Sequence, residues 1–493
     1  MIEETIRKLL VYAKAHLGLD PEDETFLENQ LLHHYGKQAP YVGAIEEKAI
    51  EALTVPDSLI DEIVSYDTDV LSLDTEEALR DADWVLGFLS PRPSEVNRLF
   101  WEKQKQNDRL AMDYLYDLSI HNGYFQKTKV DQNEMWMASF PNGSDLCITI
   151  NLSKPEKNNK DIAKLLTKVS SDYPKCRLCP TNLGYYGDAK HPARSSLRFV
   201  PMTLAGEKWY FQYSPYGYFT QHGICLQAIH TPMHIERKTF ERLFDFVDLF
   251  PSFFMGSNSD LPIVGGSILD HEHFQGGLPL LPIFHAKDRR LCYQSAKGSK
   301  IYEVDFYDTA LKLEGNDRED LVMWGEKILN AWLPYSDLSC EIIGKEGDIR
   351  HNAITSIARK QGQTCTLYLL LRNNRTNEQY PDGIFHAHPE YFSIKKEGIG
   401  LIEAAGLFIL PARLKRQLAE AEISAKMEGD TYLEAYPDMK DFSALIASLR
   451  QGKSAHDYVN QVCRGILENV AVFKATPEGE KGLDRFLQTI FRE

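Results

Sequence analysis

The 493 residues allow two to four domains with sizeable cores, and 43% hydrophobic with 26% charged residues is the composition of an ordinary folded protein, not a fibrous or disordered one. A net charge of −16 argues against broad affinity for nucleic acid, and eight cysteines are too sparse for a disulfide scaffold. No run of 18 apolar residues occurs and the amino terminus lacks a signal peptide's apolar core, so we expect a cytoplasmic protein without a membrane span.

Residues 1 to 125 read as a helical region. Ile2, Ile6, Leu9, Leu10 and Ala13 recur at the spacing of one buried helical stripe, and Asp20 before Pro21 is a helix start with an N-cap oxygen. SPRPSEVNRLFWEKQKQNDRLAMDYLYDLS predicts a further long helical stretch after two prolines. From about 126 the texture changes to short strands such as KWYFQY and GICLQAIH, the latter placing Ile224, Leu226 and Ala228 on one face. KTFERLFDFVDLF follows as a helix burying Phe240, Leu243, Phe244, Val247 and Phe250.

A related order recurs later: helix DREDLVMWGEKILNAWL, strand CTLYLLLRNN, then GIFHAHPEYFSIKKEGIG with a second histidine pair, His386 and His388. This predicts a duplicated α+β unit with antiparallel sheets, one half over 126–290 and the other over 291–493, ending in a helical tail.

The first half carries DLPIVGGSILDHEHFQGG, residues 260–277. In an extended segment His271, His273 and Gln275 share one face, and the glycine pairs let backbone N–H groups approach a ligand closely. The combination suits a phosphorus centre attacked by an imidazole, with an amide donating to a non-bridging oxygen; the bland alternative is a surface turn with exposed histidines. Substrate anions then need local cations, for which Arg194 and Arg198, Arg359, Arg372 with Arg375, and Lys395 with Lys396 are candidates, each otherwise a solvated charge. Upstream, Cys176 and Cys179 form a CxxC that can present two thiolates to zinc, completed by His191, His230, His234 or His271; a redox pair and an inert pair are the competing readings.

The segments DLPIVGGSILDHEHFQGG, CRLCPTNLGYYGDAKHPAR, FQYSPYGYF, FWEKQKQNDRLAMDYLYDLS and LLLRNNRTNEQYPDGIFHAHPEYFSIKKEGIGLIEAAG together resemble the second type of galactose-1-phosphate uridylyltransferase, over about residues 95–415. The resemblance implies two histidine-triad-like halves and transfer of uridylyl from UDP-glucose to galactose 1-phosphate through a covalent uridylyl-histidine. It implies His273 as nucleophile, with His271 and Gln275 beside it, and substrate contacts from Asn182, Arg194, Asn258, Gly266, Ser267 and Lys396. Ser267 precedes His271 by four residues where the first type of the enzyme has three. By the same likeness, structural zinc is held by Cys176, Cys179, His234 and His271. No organic cofactor, iron, nucleic-acid partner or membrane is expected, and a homodimer is. The alternatives are another nucleotidyltransferase or dinucleotide phosphorylase of the same superfamily, or a catalytically silent nucleotide-binding relative.

Overall fold

A computed structural model describes residues 1–141, 143–153, 173–188, 190–266 and 268–491. Ser267, one of the expected phosphate contacts, lies outside the described residues. Among the described residues no helix is long and apolar enough to cross a membrane.

The centre is a ten-stranded sheet whose neighbours all run antiparallel. In the first half, β3 (Val200–Leu204), β4 (Glu207–Tyr213) and β5 (Gly223–Gln227) form a meander. Helix Arg237–Leu249 then crosses to β6 (Phe254–Ser257) and β7 (His273–Gly277), and β7 pairs with both β5 and β6. The second half repeats this plan. Its meander is β8 (Asp288–Gln294), β9 (Lys300–Val304) and β10 (Ala310–Gly315), followed by helix Arg318–Trp332 and the pair β13 (Asn352–Gln361) and β14 (Thr364–Asn373), with β14 against β10. A two-stranded ribbon, β11 (Lys345–Glu346) and β12 (Ile349–Arg350), precedes β13. The halves join where β6 pairs with β13, from Ser257↔Ser356 to Phe254↔Arg359.

The expected duplication is therefore present as topology, in an α+β fold. It is not present as a duplicated motif, because the counterpart of β7 is β14, TCTLYLLLRN, which carries no histidine. His386 and His388 instead lie in the irregular segment after it. The halves also differ in the connection that follows. β13 and β14 are joined by the turn Gly362–Gln363, with Gly362 at φ +59°, whereas β6 and β7 are joined by the whole of 258–272.

One face of the sheet is covered by the two crossover helices, which bury Phe240, Leu243, Phe244, Leu321, Ile328 and Leu329 against Phe274, Leu367, Leu369 and Leu371. The amino-terminal helices extend the same core through Ile6, Phe100 and Leu115. Asp20 there caps a single 3-10 turn, Pro21–Asp23, ahead of helix Glu24–His34. The long helical stretch expected after the prolines is two helices, Pro93–Gln104 and Asp108–His121. The Asn107 side chain accepts from Arg109 N at 2.7 Å, and this local bond competes with a continuous helix. The opposite face packs Phe254, Ile357, Tyr368 and Leu370 against the carboxy-terminal helices and a small sheet. In that sheet β1 (Glu134–Ala138) pairs antiparallel with β2 (Leu146–Asn151), and β15 (Leu407–Pro411) pairs parallel with β2.

Candidate functional site

Side chains alternate across a strand, so with Phe274 facing the crossover helices, His273 and Gln275 face the other way. The β6–β7 ladder ends with Gly256 opposite Gln275, and Asn258 follows just past the end of β6. Asn258 is buried, its Oδ1 accepts Leu401 N at 2.8 Å, and a Cβ on Gly266 would come within 2.9 Å of its Nδ2. Asn258 and Gly266 thus meet each other in the connection that leads from β6 to the start of β7 at His273.

The hydrogen bonds fix what these groups can do. His273 Nδ1 lies 2.8 Å from the His271 carbonyl, so Nδ1 carries the proton and donates it. Nε2 makes no hydrogen bond among the described residues and remains a basic nitrogen. Burial pushes the ring's pKa down to about 4, which keeps it neutral near pH 7. Gln275 Oε1 lies 3.0 Å from His222 Nε2, which acts as donor; burial lowers that imidazole to about 4 as well. With its oxygen occupied, the Gln275 amide presents its NH2 as the free end. His222 is a site residue that the motif search passed over. It stands just before β5, two residues from Ile224, which pairs with Gln275, so strand pairing was the only signal that could have found it.

His271 does not join the row of His273 and Gln275. It occupies a bend before β7, with Nε2 donating to the Gln227 carbonyl at 2.9 Å and Nδ1 3.3 Å from Cys176 Sγ. Cys179 Sγ lies 3.5 Å from Cys176 Sγ and 3.3 Å from His230 Nδ1. The four ligand atoms of Cys176, Cys179, His230 and His271 all fall within 4.8 Å of one another. A tetrahedral zinc with bonds of about 2.3 Å to sulfur and 2.0 Å to nitrogen has edges of roughly 3.3–3.8 Å, and four of the six separations in the set, at 3.3–3.7 Å, match it. The bond from His271 Nε2 to Gln227 also leaves the correct nitrogen for it. Burial pushes the Cys176 thiol up to about 12, a cost that a cation in the cluster would offset.

His234, expected as the fourth ligand, is not part of this group. Its side chain is 69% exposed and its Nδ1 faces Asp260 at 3.8 Å. Four residues separate it from His230, and the chain from Thr231 to Ile235 runs along the 258–272 connection: Thr231 O accepts from Glu272 N and Met233 N donates to Leu269 O. Of these two histidines, only His230 is placed at the cysteine sulfurs.

The remaining expected residues divide. Asn182 supports the cysteine turn, its amide donating to the Cys176 and Cys179 carbonyls at 2.8 Å each, so both donors are used. Arg194 lies over the Tyr124 ring, at the edge of a small apolar cluster of Tyr124, Leu197, Phe199 and Leu226; Leu226 is the cross-strand partner of His273. Lys396 is exposed above Phe392, whereas its neighbour Lys395 is buried and paired with Glu403 at 3.1 Å.

Residues 25–232 match the family model described as galactose-1-phosphate uridyl transferase, N-terminal domain. A protein from Caldanaerobacter subterraneus named galactose-1-phosphate uridylyltransferase is 40% identical over 98% of this chain and 97% of its own. One of the same name from Halalkalibacterium halodurans is 41% identical over 82% of each chain. Galactose-1-phosphate uridylyltransferase 2 of Streptococcus pneumoniae is 35% identical over 98% of each.

Proposed function

The chain belongs to the galactose-1-phosphate uridylyltransferase family, and on that premise we propose that it moves a uridylyl group from UDP-glucose to galactose 1-phosphate through a covalent intermediate on His273. The observation that carries the proposal is the state of His273: neutral, with Nδ1–H committed to the His271 carbonyl and Nε2 open beside the Gln275 amide.

In the first step the Nε2 lone pair forms a bond to the α-phosphorus of UDP-glucose, and the bond from that phosphorus to the bridging oxygen breaks. Glucose 1-phosphate leaves with the electron pair. The ring becomes cationic, and its Nδ1–H bond to the His271 carbonyl stabilises the charge as it forms. The Gln275 NH2 donates to a non-bridging oxygen. It cannot act as a general acid, and none is required because the leaving group is already a phosphate oxygen. In the second step a phosphate oxygen of galactose 1-phosphate attacks the same phosphorus, the N–P bond breaks, and neutral His273 is restored with UDP-galactose. We assign Arg194, at the edge of the apolar cluster flanking His273, to the diphosphate. Asn258 and the Gly266 backbone we assign to the transferred phosphoryl oxygens.

Cys176, Cys179, His230 and His271 would hold zinc in a closed, four-coordinate structural site. Its contribution there is to fix His271, whose carbonyl orients His273. The reaction is tested by isotope exchange. UDP-glucose incubated with labelled glucose 1-phosphate, without galactose 1-phosphate, is expected to acquire label; no exchange by folded protein refutes the covalent route.

A further inference from the structure

We propose that Arg350, contributed by the second half of the molecule, is a positioning residue for the site in the first half: through Asp260 it clamps the 258–272 connection, which carries Asn258 and Gly266 and leads directly into β7 at His273. The inference extends the uridylyl-transfer proposal to a residue some 77 positions beyond the nucleophile in sequence, and rests on it for the activity arm of the test.

The connection is held in an unusual conformation. Ile263, a β-branched residue, has φ +73°, in the left-handed region that such side chains rarely adopt. Backbone of this kind persists only where its surroundings over-determine it. Two residues on, Gly265 bridges back to Ser259, and a Cβ there would come within 2.5 Å of both the Ser259 and Leu261 carbonyls. The loop is thus folded tightly on itself immediately before Gly266.

Its anchors come largely from the second half. The Asp260 side chain is 2% exposed, and its Oδ2 takes Arg350 Nη2 at 2.8 Å and Ile235 N at 3.2 Å. Asn374 Nδ2 donates to Pro262 O, Ser259 Oγ bonds Thr355 Oγ1 at 3.0 Å, and a Cβ on Gly398 would sit 3.4 Å from the Ile263 carbonyl. Arg350 is the only one of these that brings a charge. It sits on β12, in the ribbon inserted between helix Arg318–Trp332 and β13. An exposed ion pair contributes little, but here only the arginine is partly exposed, at 28%; the carboxylate is buried, and its Oδ1 has no partner among the described residues. Removing Arg350 leaves a buried carboxylate with one backbone N–H bond, from Ile235, and only the exposed His234 ring beyond it at 3.8 Å, a loss large enough to release the loop. Ile235 N on the same oxygen ties this anchor to the chain that carries His230, so one carboxylate connects both halves and the cysteine–histidine cluster.

The test uses the full-length protein carrying Arg350→Ala, Arg350→Lys, Asp260→Asn and the double variant, with Lys345→Ala on the same ribbon as control. Two quantities are read: steady-state kcat and KM, and amide hydrogen exchange of peptides covering 258–270. Displacing positioned groups by about 1 Å costs on the order of a hundredfold or less. Arg350→Ala is expected to lower kcat/KM by roughly tenfold or more, to accelerate exchange in 258–270 without a global fall in protection, and to be partly rescued by Arg350→Lys. Added to Asp260→Asn it should cost nothing further. Unchanged exchange and kinetics, additive losses, or loosening spread over the whole chain each overturn the clamp. If the parent itself transfers no uridylyl group, the proposed function fails while the exchange measurement still decides the clamp.

Discussion

On the proposed mechanism the Gln275 NH2 donates to the transferred phosphoryl group, and His222 holds that amide, so replacing His222 with phenylalanine is a direct probe. His222→Phe removes the donor 3.0 Å from Gln275 Oε1 but keeps a ring against Tyr218 and Phe219, whose centroids lie 5.0 and 4.7 Å away. A buried neutral hydrogen bond is worth about 0.5–1.5 kcal/mol net, and leaving its acceptor unsatisfied costs about 1–3 kcal/mol in stability. The catalytic loss is bounded separately. Deleting a donor that contacts the developing charge costs about 3 kcal/mol, or about a hundredfold. His222 only orients that donor, so a fraction of this, about 1.4 kcal/mol or tenfold, is expected. The assay is the single-turnover rate of uridylyl-protein formation from UDP-glucose, in His222→Phe, Gln275→Ala and the double variant. His222→Phe should have almost no effect once Gln275 is gone. A tenfold loss that persists in the Gln275→Ala background, or a parental rate in His222→Phe, refutes the orienting role.

Replacing Cys176, Cys179 or His230 should abolish zinc and lower the melting temperature, whereas His234→Ala should retain metal; metal analysis of the purified variants discriminates between the two histidines. Gln275→His exchanges an amide for a titratable group, so the ratio of UMP released to UDP-galactose formed at saturating galactose 1-phosphate should rise; an unchanged ratio and rate means Gln275 does not face the phosphorus. Asp308 is buried and its pKa is pushed up to about 7, chiefly by burial, with Arg372 and Lys474 opposing. Its folded-state value lies above its unfolded one, so its contribution to stability is full below about pH 4 and lost as pH rises through 7. Relative to Asp308→Asn, the parent should therefore gain roughly 2–3 kcal/mol between pH 8 and pH 5, seen as a shrinking difference in melting temperature.

The fold class was legible because the crossover helix Arg237–Leu249 and strands such as Gly223–Gln227 carry their periodicity openly. So was the internal repeat, through the recurring order of helix and strand; the second histidine pair, taken with it, is not part of the correspondence, because His386 and His388 fall after β14. Strand β13 was missed because NAITSIARKQ is buried on both faces over most of its length and shows no alternation. At the site, His273 and Gln275 were placed on one face by strand parity alone. His271 departed from that row because a bend precedes β7, and parity holds only within a strand. Choosing between His230 and His234, finding His222, and seeing Arg350 reach Asp260 all required partners 51 to 90 residues distant to be brought together, which no local pattern encodes.

The central claim is a uridylyl group on His273, and intact-protein mass spectrometry after brief incubation with UDP-glucose measures it most directly. The parent should gain the mass of one uridylyl group, lose it on addition of galactose 1-phosphate with formation of UDP-galactose, and carry the modification on the peptide containing His273; His273→Gly should gain nothing. An adduct of undiminished yield in His273→Gly, or turnover by the parent with no adduct trapped and no isotope exchange, contradicts the account.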